Sequence, residues 1–405
     1  MSLRLRMSIY AVASLYTSSH QQGYPLSPDD FVTRATHRAN AANLTMDELK
    51  ASILLCLYKL AKATTWEAVA DMGRLTRMAE LYYRIIAAND QNAGGSRSKL
   101  ESEELRTVWW CIYSLDTFFS AMAIISHAVT DPARGNMTLP NAPVPDLSNP
   151  VSPKRRNLEH VGEPELSLTK DLKLWETMTM LFSRSSCRGR SLHIGACAFM
   201  RSVTDLRLSV KHGCGTAWKA RFRELESDFC AATLSLPVWV FNPSRDFSNG
   251  ETEREHRDRL ETLFVWQCAC LLHAGLAIQL DDTDATSTES IIHGRWQNVI
   301  ARANEVLHVA QNWKPDYFEA IDAKSAYIIF VTGIIFTLDH GIRAADTSNI
   351  TPSSHHIDLI LLFLGQIGRY WPLGMYFIHN VFRSVWHLGE AYADFQASEP
   401  PSRCT

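Results

Sequence analysis

Three aspartates stand within four residues at Asp281, Asp282 and Asp284, where a helical run gives out. Clustered carboxylates supply the hard oxygen ligands that magnesium prefers, and magnesium held in this way can bind a diphosphate. That chemistry needs a second ligand set on an opposing helix, of the form Asn-Asp-x-x-Ser-x-x-x-Glu. The nearest stretch, Asn380 to Leu388, keeps Ser384 but has Val381 where the acid belongs and Leu388 where the glutamate belongs. The aspartates therefore read as an acidic loop following a helix end.

Other chemistry-bearing patterns are sparser. His127 and Asp131 have the H-x-x-x-D spacing in which some acyltransferases use the histidine as a base, but Pro132 stands where glycine usually follows. Two fixed positions in five recur often by chance, so His127 reads as a helix-end histidine. His355, His356 and Asp358 contain metal-ligand types, yet adjacent helical histidines diverge and no H-E-x-x-H is present. The nine cysteines include no C-x-x-C pair, and Cys268 and Cys270 would point roughly 200° apart on a helix. Most lie in apolar helical text and read as small buried thiols. No G-x-S-x-G, phosphate-binding loop or G-x-G-x-x-G occurs. No cofactor and no metal is expected.

The surrounding text is helical throughout. A capping box pairs a Ser or Thr oxygen with a free backbone N–H and returns a Glu three residues on. Thr45 with Glu48, Thr64 with Glu67 and Ser98 with Glu101 have this form. The first opens a helix through Lys62 and the second one from Trp66 to Ala88. The third opens a helix from Glu101 to about Ile125, with Leu105, Val108, Trp109, Ile112, Phe119 and Met122 on one stripe. Residues 131–165 hold seven of the sixteen prolines and read as a long surface loop. Helical periodicity resumes near Leu168 and recurs in Leu260–Leu280, Ile291–Asn312, Ala320–Leu338, Ile357–Tyr370 and Leu373–Ala393. Ile357–Ile367 is apolar nearly all round, which predicts a central helix. The apolar run Ala326–Leu338 is too short for a membrane span, which takes about 20 residues. The expectation is an all-α, large multi-helix bundle in which residues 1–405 form a single domain around the Pro-rich loop.

Glu104-Leu105-Arg106-Thr107-Val108-Trp109-Trp110-Cys111-Ile112-Tyr113-Ser114-Leu115-Asp116 resembles the signature helix of the fungal-specific transcription factor regulatory domain, the middle homology region. Arg106, Trp109, Trp110, Tyr113, Leu115 and Asp116 match in order and spacing. Trp66–Met78 looks like the helix that precedes that signature. Leu263–Leu280 with His273 and Ile357–Pro372 are similar to later helices of the same family. The resemblance runs from about Leu3 to about Leu388. Arg106 and Asp116, ten residues apart, cannot pair along one helix, so each needs another partner or solvent.

The resemblance implies a nuclear, non-catalytic transcription regulator of a metabolic or secondary-metabolite gene cluster, with the transcription machinery or another regulator as partner. It leaves open a homodimer and a small-molecule effector. Relatives usually carry an N-terminal zinc cluster or tandem Cys-Cys-His-His fingers. This text has neither pattern and opens inside the regulatory domain, and a net charge of −3 supplies no broad positive field for a phosphate backbone. Direct DNA binding by this chain alone is not expected, nor is a membrane. Relatives also often follow the signature with a Gly-Arg-Pro-like turn, where this chain reads Ile124 to Val129. Lys154, Arg155 and Arg156 follow Pro153 in the loop and fit the pattern of a minimal nuclear import signal, against the commoner reading of a short basic run as solvated surface. The alternative function is an all-helical, magnesium-dependent terpene-type synthase using Asp281, Asp282 and Asp284.

Overall fold

Local rules account for where the helices start and stop. The computed structural model describes residues 1–17, 27–37, 44–93, 99–129, 173–183, 190–213, 215–248, 250–280, 288–346 and 355–381. Every regular element among them is helical: α1 (Leu3–Thr17), α2 (Pro28–His37), α3 (Met46–Ala61), α4 (Thr65–Ala93), α5 (Lys99–Ala123), α6 (Leu174–Ser183) and α7 (Arg190–Lys211). Then come α8 (Ala217–Ser235), α9 (Val238–Phe241), α10 (Glu253–Ala277), α11 (Thr288–Gln311), a 3₁₀ turn (Pro315–Ala320), α12 (Lys324–Asp346), α13 (His355–Gly368) and α14 (373–381). The all-α class expected from sequence is the class observed. The Pro-rich loop, with Lys154, Arg155 and Arg156, lies outside the described residues.

Thr45 caps α3 as its box predicts, its hydroxyl accepting the Glu48 N–H at 3.3 Å. Thr64 does not cap α4. The chain leaves α3 through Ala63 at φ 59°. This left-handed turn sends both the Thr64 N–H and its hydroxyl to the Lys59 carbonyl. Glu67 instead lies 3.5 Å from the Lys59 ammonium, whose nearer partner is Asp71 at 2.6 Å. Ser98 lies outside the described residues. A reciprocal box that the apolar pattern does not advertise opens α10. There Thr252 and Glu255 exchange N–H bonds at 2.9 and 3.2 Å.

The chain divides into two compact units, and the boundary falls inside α3, α4 and α10. Such a division leaves no linker for composition to reveal. The first unit takes residues 1–40, 51–71 and 263–405. Its core is aromatic: Phe264, Trp313, Phe318 and Phe363 meet with ring centroids between 4.9 Å and 6.3 Å apart. Most of these contacts are edge-on or tilted, the arrangements that ring quadrupoles prefer. Phe330 of α12 stacks on Phe377 of α14 at 4.4 Å. The Trp371 indole N–H donates to the Ile321 carbonyl at 2.8 Å, which anchors the break before α14.

The expectation that α13 is surrounded on all sides is corrected. Ile360, Phe363, Leu364 and Ile367 are buried, but Leu362 is 62% exposed, so α13 packs one face and leaves the opposite one open. Residues 253–277 and 324–343 are each long and apolar enough to cross a membrane by length and composition alone. The first of these segments is 72% buried, as a core helix would be.

The second unit takes residues 41–50 and 72–262. Here α5 packs on α7, and α6, α7 and α8 pack on one another. Phe199 of α7 stacks on Phe229 of α8 at 4.6 Å. Gly195 admits the Met178 thioether so closely that an added Cβ would sit 2.0 Å from its sulfur.

Candidate functional site

Of the α5 stripe, Leu105, Val108, Trp109, Ile112 and Phe119 are buried and Met122 only in part, while residues 112–121 are buried on every side of the helix, which the stripe does not predict. Trp109, Trp110, Tyr113, Leu115 and Asp116 are all at most 7% exposed. Four are packing residues: Trp110 meets Tyr113 edge-on at 5.1 Å, and Trp109 packs against Tyr83 of α4 at 6.2 Å. Arg106 lies one turn from Glu103 at 3.3 Å. Asp116 is different, because burying a carboxylate costs several kcal/mol unless charge and hydrogen bonds compensate it.

The compensation comes from beyond the helix. Asp116 accepts the backbone N–H groups of Ala128 at 2.9 Å and Val129 at 3.0 Å, and an Arg201 amino group from α7 at 2.9 Å. The second Arg201 amino group donates to the Val129 carbonyl at 2.7 Å, and its guanidinium lies 4.6 Å above the Tyr113 ring. Asp116 and Arg201 thus form a clamp that fixes residues 124–129, the strap leaving α5, against α7. Arg207 and Lys211 add contacts from α7 to the Ala121 and Ile124 carbonyls, at 3.1 and 3.4 Å.

The strap starts under strain. Ile124, β-branched, sits at φ 50°. The Ile125 N–H closes the helix end on the Ser120 carbonyl. Left-handed backbone costs a residue with a Cβ about 1–2 kcal/mol, and glycine escapes that penalty. Further along the strap, Asp116 holds the Ala128 and Val129 N–H groups.

His127 completes the cluster. Its ring is 6% exposed, with Nε2 3.4 Å from both the Arg201 carbonyl and Asp205 Oδ1. Its Nδ1 is buried without a hydrogen-bond partner among the described residues, 3.9 Å from Asp116 Oδ2. Burial, and next the Arg201 charge, hold the imidazole below its ordinary value of 6.5, against the pull of Asp205 and Asp116. The H-x-x-x-D partner, Asp131, lies outside the described residues.

A second buried ion pair orders residues 242–252 of the same unit. Arg259 Nε lies 2.7 Å and Nη2 2.9 Å from the Glu251 carboxylate. The guanidinium also donates to the carbonyls of Trp239 at 3.2 Å, Ser244 at 2.9 Å and Asn242. His256 Nε2 donates to the Pro243 carbonyl at 2.8 Å. An open groove of about 320 Å³ between α7 and α8 is lined by Ser202, Asp205, Leu206, Trp218 and Arg221 among others.

Asp281, Asp282 and Asp284 lie outside the described residues. Of the second ligand stretch, Asn380 is half-buried and donates to the Tyr376 carbonyl at 2.8 Å, while Val381 is fully buried. His356 stacks on Phe336 at 4.6 Å. Among the described residues no group of three or more His, Cys, Asp or Glu side chains converges as a metal site. Cys56, Cys197, Cys268 and Cys270 are buried, whereas Cys111 and Cys230 are exposed. Burial pushes the Cys56 thiol up to about 12, which leaves it inert as a nucleophile.

Sequence reasoning singled out Asp116 and left its partner open. Arg201, Arg259 and Glu251 it passed over, because single charges in helical text normally read as solvated faces. Comparison with models of protein families, with curated proteins and with solved structures found no match.

Proposed function

We propose that this chain is the helical regulatory domain of a fungal-type transcription regulator that acts in the nucleus without catalysis, controlling a metabolic or secondary-metabolite gene cluster. The observation that carries the reading is the order Arg106, Trp109, Trp110, Tyr113, Leu115, Asp116 on one helix. The all-helical fold is consistent with it, and so is the use of Asp116 as an architectural anchor whose oxygens are committed to internal donors.

In this reading the chain works through the transcription machinery or another regulator and contacts no DNA by itself. Lys154, Arg155 and Arg156 serve as its import signal. Deleting the gene should change the transcripts of a small set of neighbouring genes, and a fluorescent fusion should be nuclear and lose that location on neutralising Lys154–Arg156. Unchanged transcripts would reject the reading, as would release of diphosphate from a prenyl diphosphate by the purified protein with magnesium, lost in Asp281→Ala. Purified protein should show no nanomolar, salt-resistant shift of any one promoter.

A further inference from the structure

We propose that the strap at 124–129 is an acid-sensitive latch, docked while His127 is neutral and released when His127 is protonated. This is independent of the transcriptional reading and rests on what surrounds the ring. Both groups within reach of Nε2, the Arg201 carbonyl and Asp205 Oδ1, are acceptors, so neutral His127 carries its hydrogen on Nε2. Nδ1 is then a bare lone pair with no donor, facing Asp116 Oδ2 at 3.9 Å.

A proton on Nδ1 turns that lone pair into a donor, and Asp116 Oδ2 is the acceptor beside it. Oδ2 is also the atom that takes the Val129 N–H and the Arg201 amino group. The imidazolium therefore competes for the oxygen that closes the clamp. It does so as a second buried cation next to Arg201, with Lys211 of α7 on the start of the strap, Arg207 of α7 on the last turn of α5 and Arg221 of α8 along the groove that Asp205 lines. Asp116 on α5 and Asp205 on α7 attract the charge, but the Asp205 side chain is 66% exposed. Water and salt screen the pull of so open a carboxylate. Burial and Arg201 outweigh the two carboxylates, so the docked strap favours the neutral ring.

The strap begins at Ile124, left-handed at φ 50°, where the Ile125 N–H closes the end of α5 on the Ser120 carbonyl.

The test is hydrogen exchange on the full chain, read by mass spectrometry on peptides covering 124–129 and corrected for intrinsic rates. Between pH 7.5 and 5.0 the wild type should lose protection there, while peptides elsewhere in α5 and α7 keep theirs. His127→Gln, which still donates to the Arg201 carbonyl and does not titrate, should lose none. No loss in the wild type, or an equal loss in both proteins, overturns the latch. Should His127→Gln fail to fold, Asp205→Asn, at an exposed side chain, serves instead: removing its attraction should move release to lower pH. Release at unchanged or higher pH in that variant overturns the proposal. The histidine proton resonance that Asp205→Asn shifts should titrate below the usual ~6.5 in wild type, and a value at or above it would also overturn the proposal.

Discussion

Arg201 Nη1 and Asp116 Oδ2, 85 residues apart in sequence, meet at 2.9 Å with side chains 12% and 3% exposed. Removing one partner of such a pair leaves a buried charge without compensation, and that costs more than the pair contributes. Arg201→Ala should lower stability by about 3–5 kcal/mol in urea unfolding. The double variant Asp116→Asn with Arg201→Met should be less damaged than the sum of its singles, because neither charge remains to be stranded. A loss under about 1 kcal/mol for Arg201→Ala, the range of an exposed pair, would show that solvent reaches Asp116.

Trp109 tests the packing of the same helix independently of charge. It is buried, and it fills the space beside Tyr83. Truncation to alanine should cost about 3–5 kcal/mol through lost transfer energy and a cavity. A variant that melts within a degree or two of wild type would contradict that burial.

Two glycines predict opposite outcomes for the same substitution. A Cβ on Gly374 would lie 2.5 Å from the Leu364 carbonyl oxygen and 2.6 Å from the Gly368 nitrogen, both backbone atoms that cannot rotate away. A Cβ on Gly73, inside α4, would meet nothing within 4 Å. Gly374→Ala should therefore destabilise, and Gly73→Ala should stabilise by about 0.5–1 kcal/mol through helix propensity. Thermal melts that shift in the same direction for both would contradict the α13–α14 approach.

Glu251 gives a prediction in pH. Burial pushes its carboxyl up, but the Arg259 and Asp246 hydrogen bonds outweigh burial and hold it below its ordinary value of 4.5. The folded state then binds fewer protons than the unfolded one, so the contribution is complete above about pH 4.5 and fades as pH falls through the lower folded value. Glu251→Gln should be less stable than wild type at pH 7, with the gap narrowing below pH 4.5. Urea midpoints separated by the same amount at pH 7 and pH 3.5 would reject this assignment.

The amino-acid sequence alone determined the class of fold and the position of most helices, because the helical period, a cap such as Thr45 and a break such as Trp371-Pro372 act over a few residues. It also determined that Leu105, Val108, Trp109, Ile112 and Phe119 of α5 are buried, since large apolar side chains on one stripe have no alternative that keeps them from water; that residues 112–121 are buried on every side was decided by the tertiary structure. What only the tertiary structure decided is how each charge is used. Arg201, Glu251 and Arg259 look in sequence like ordinary solvated charges, and Asp116, though singled out, shows no partner there; Arg201 meets it only because α7 packs on α5 from 85 residues away. The same reason separates Thr64 from Thr45: one capping pattern, with the bonds at Thr64 redirected by the left-handed turn at Ala63. It also explains Leu362, whose apolar neighbours on α13 predict burial, yet which is 62% exposed because no element among the described residues covers its side of the helix. Local periodicity states that a side chain prefers to be buried, and only the packing of distant segments supplies the surface that buries it.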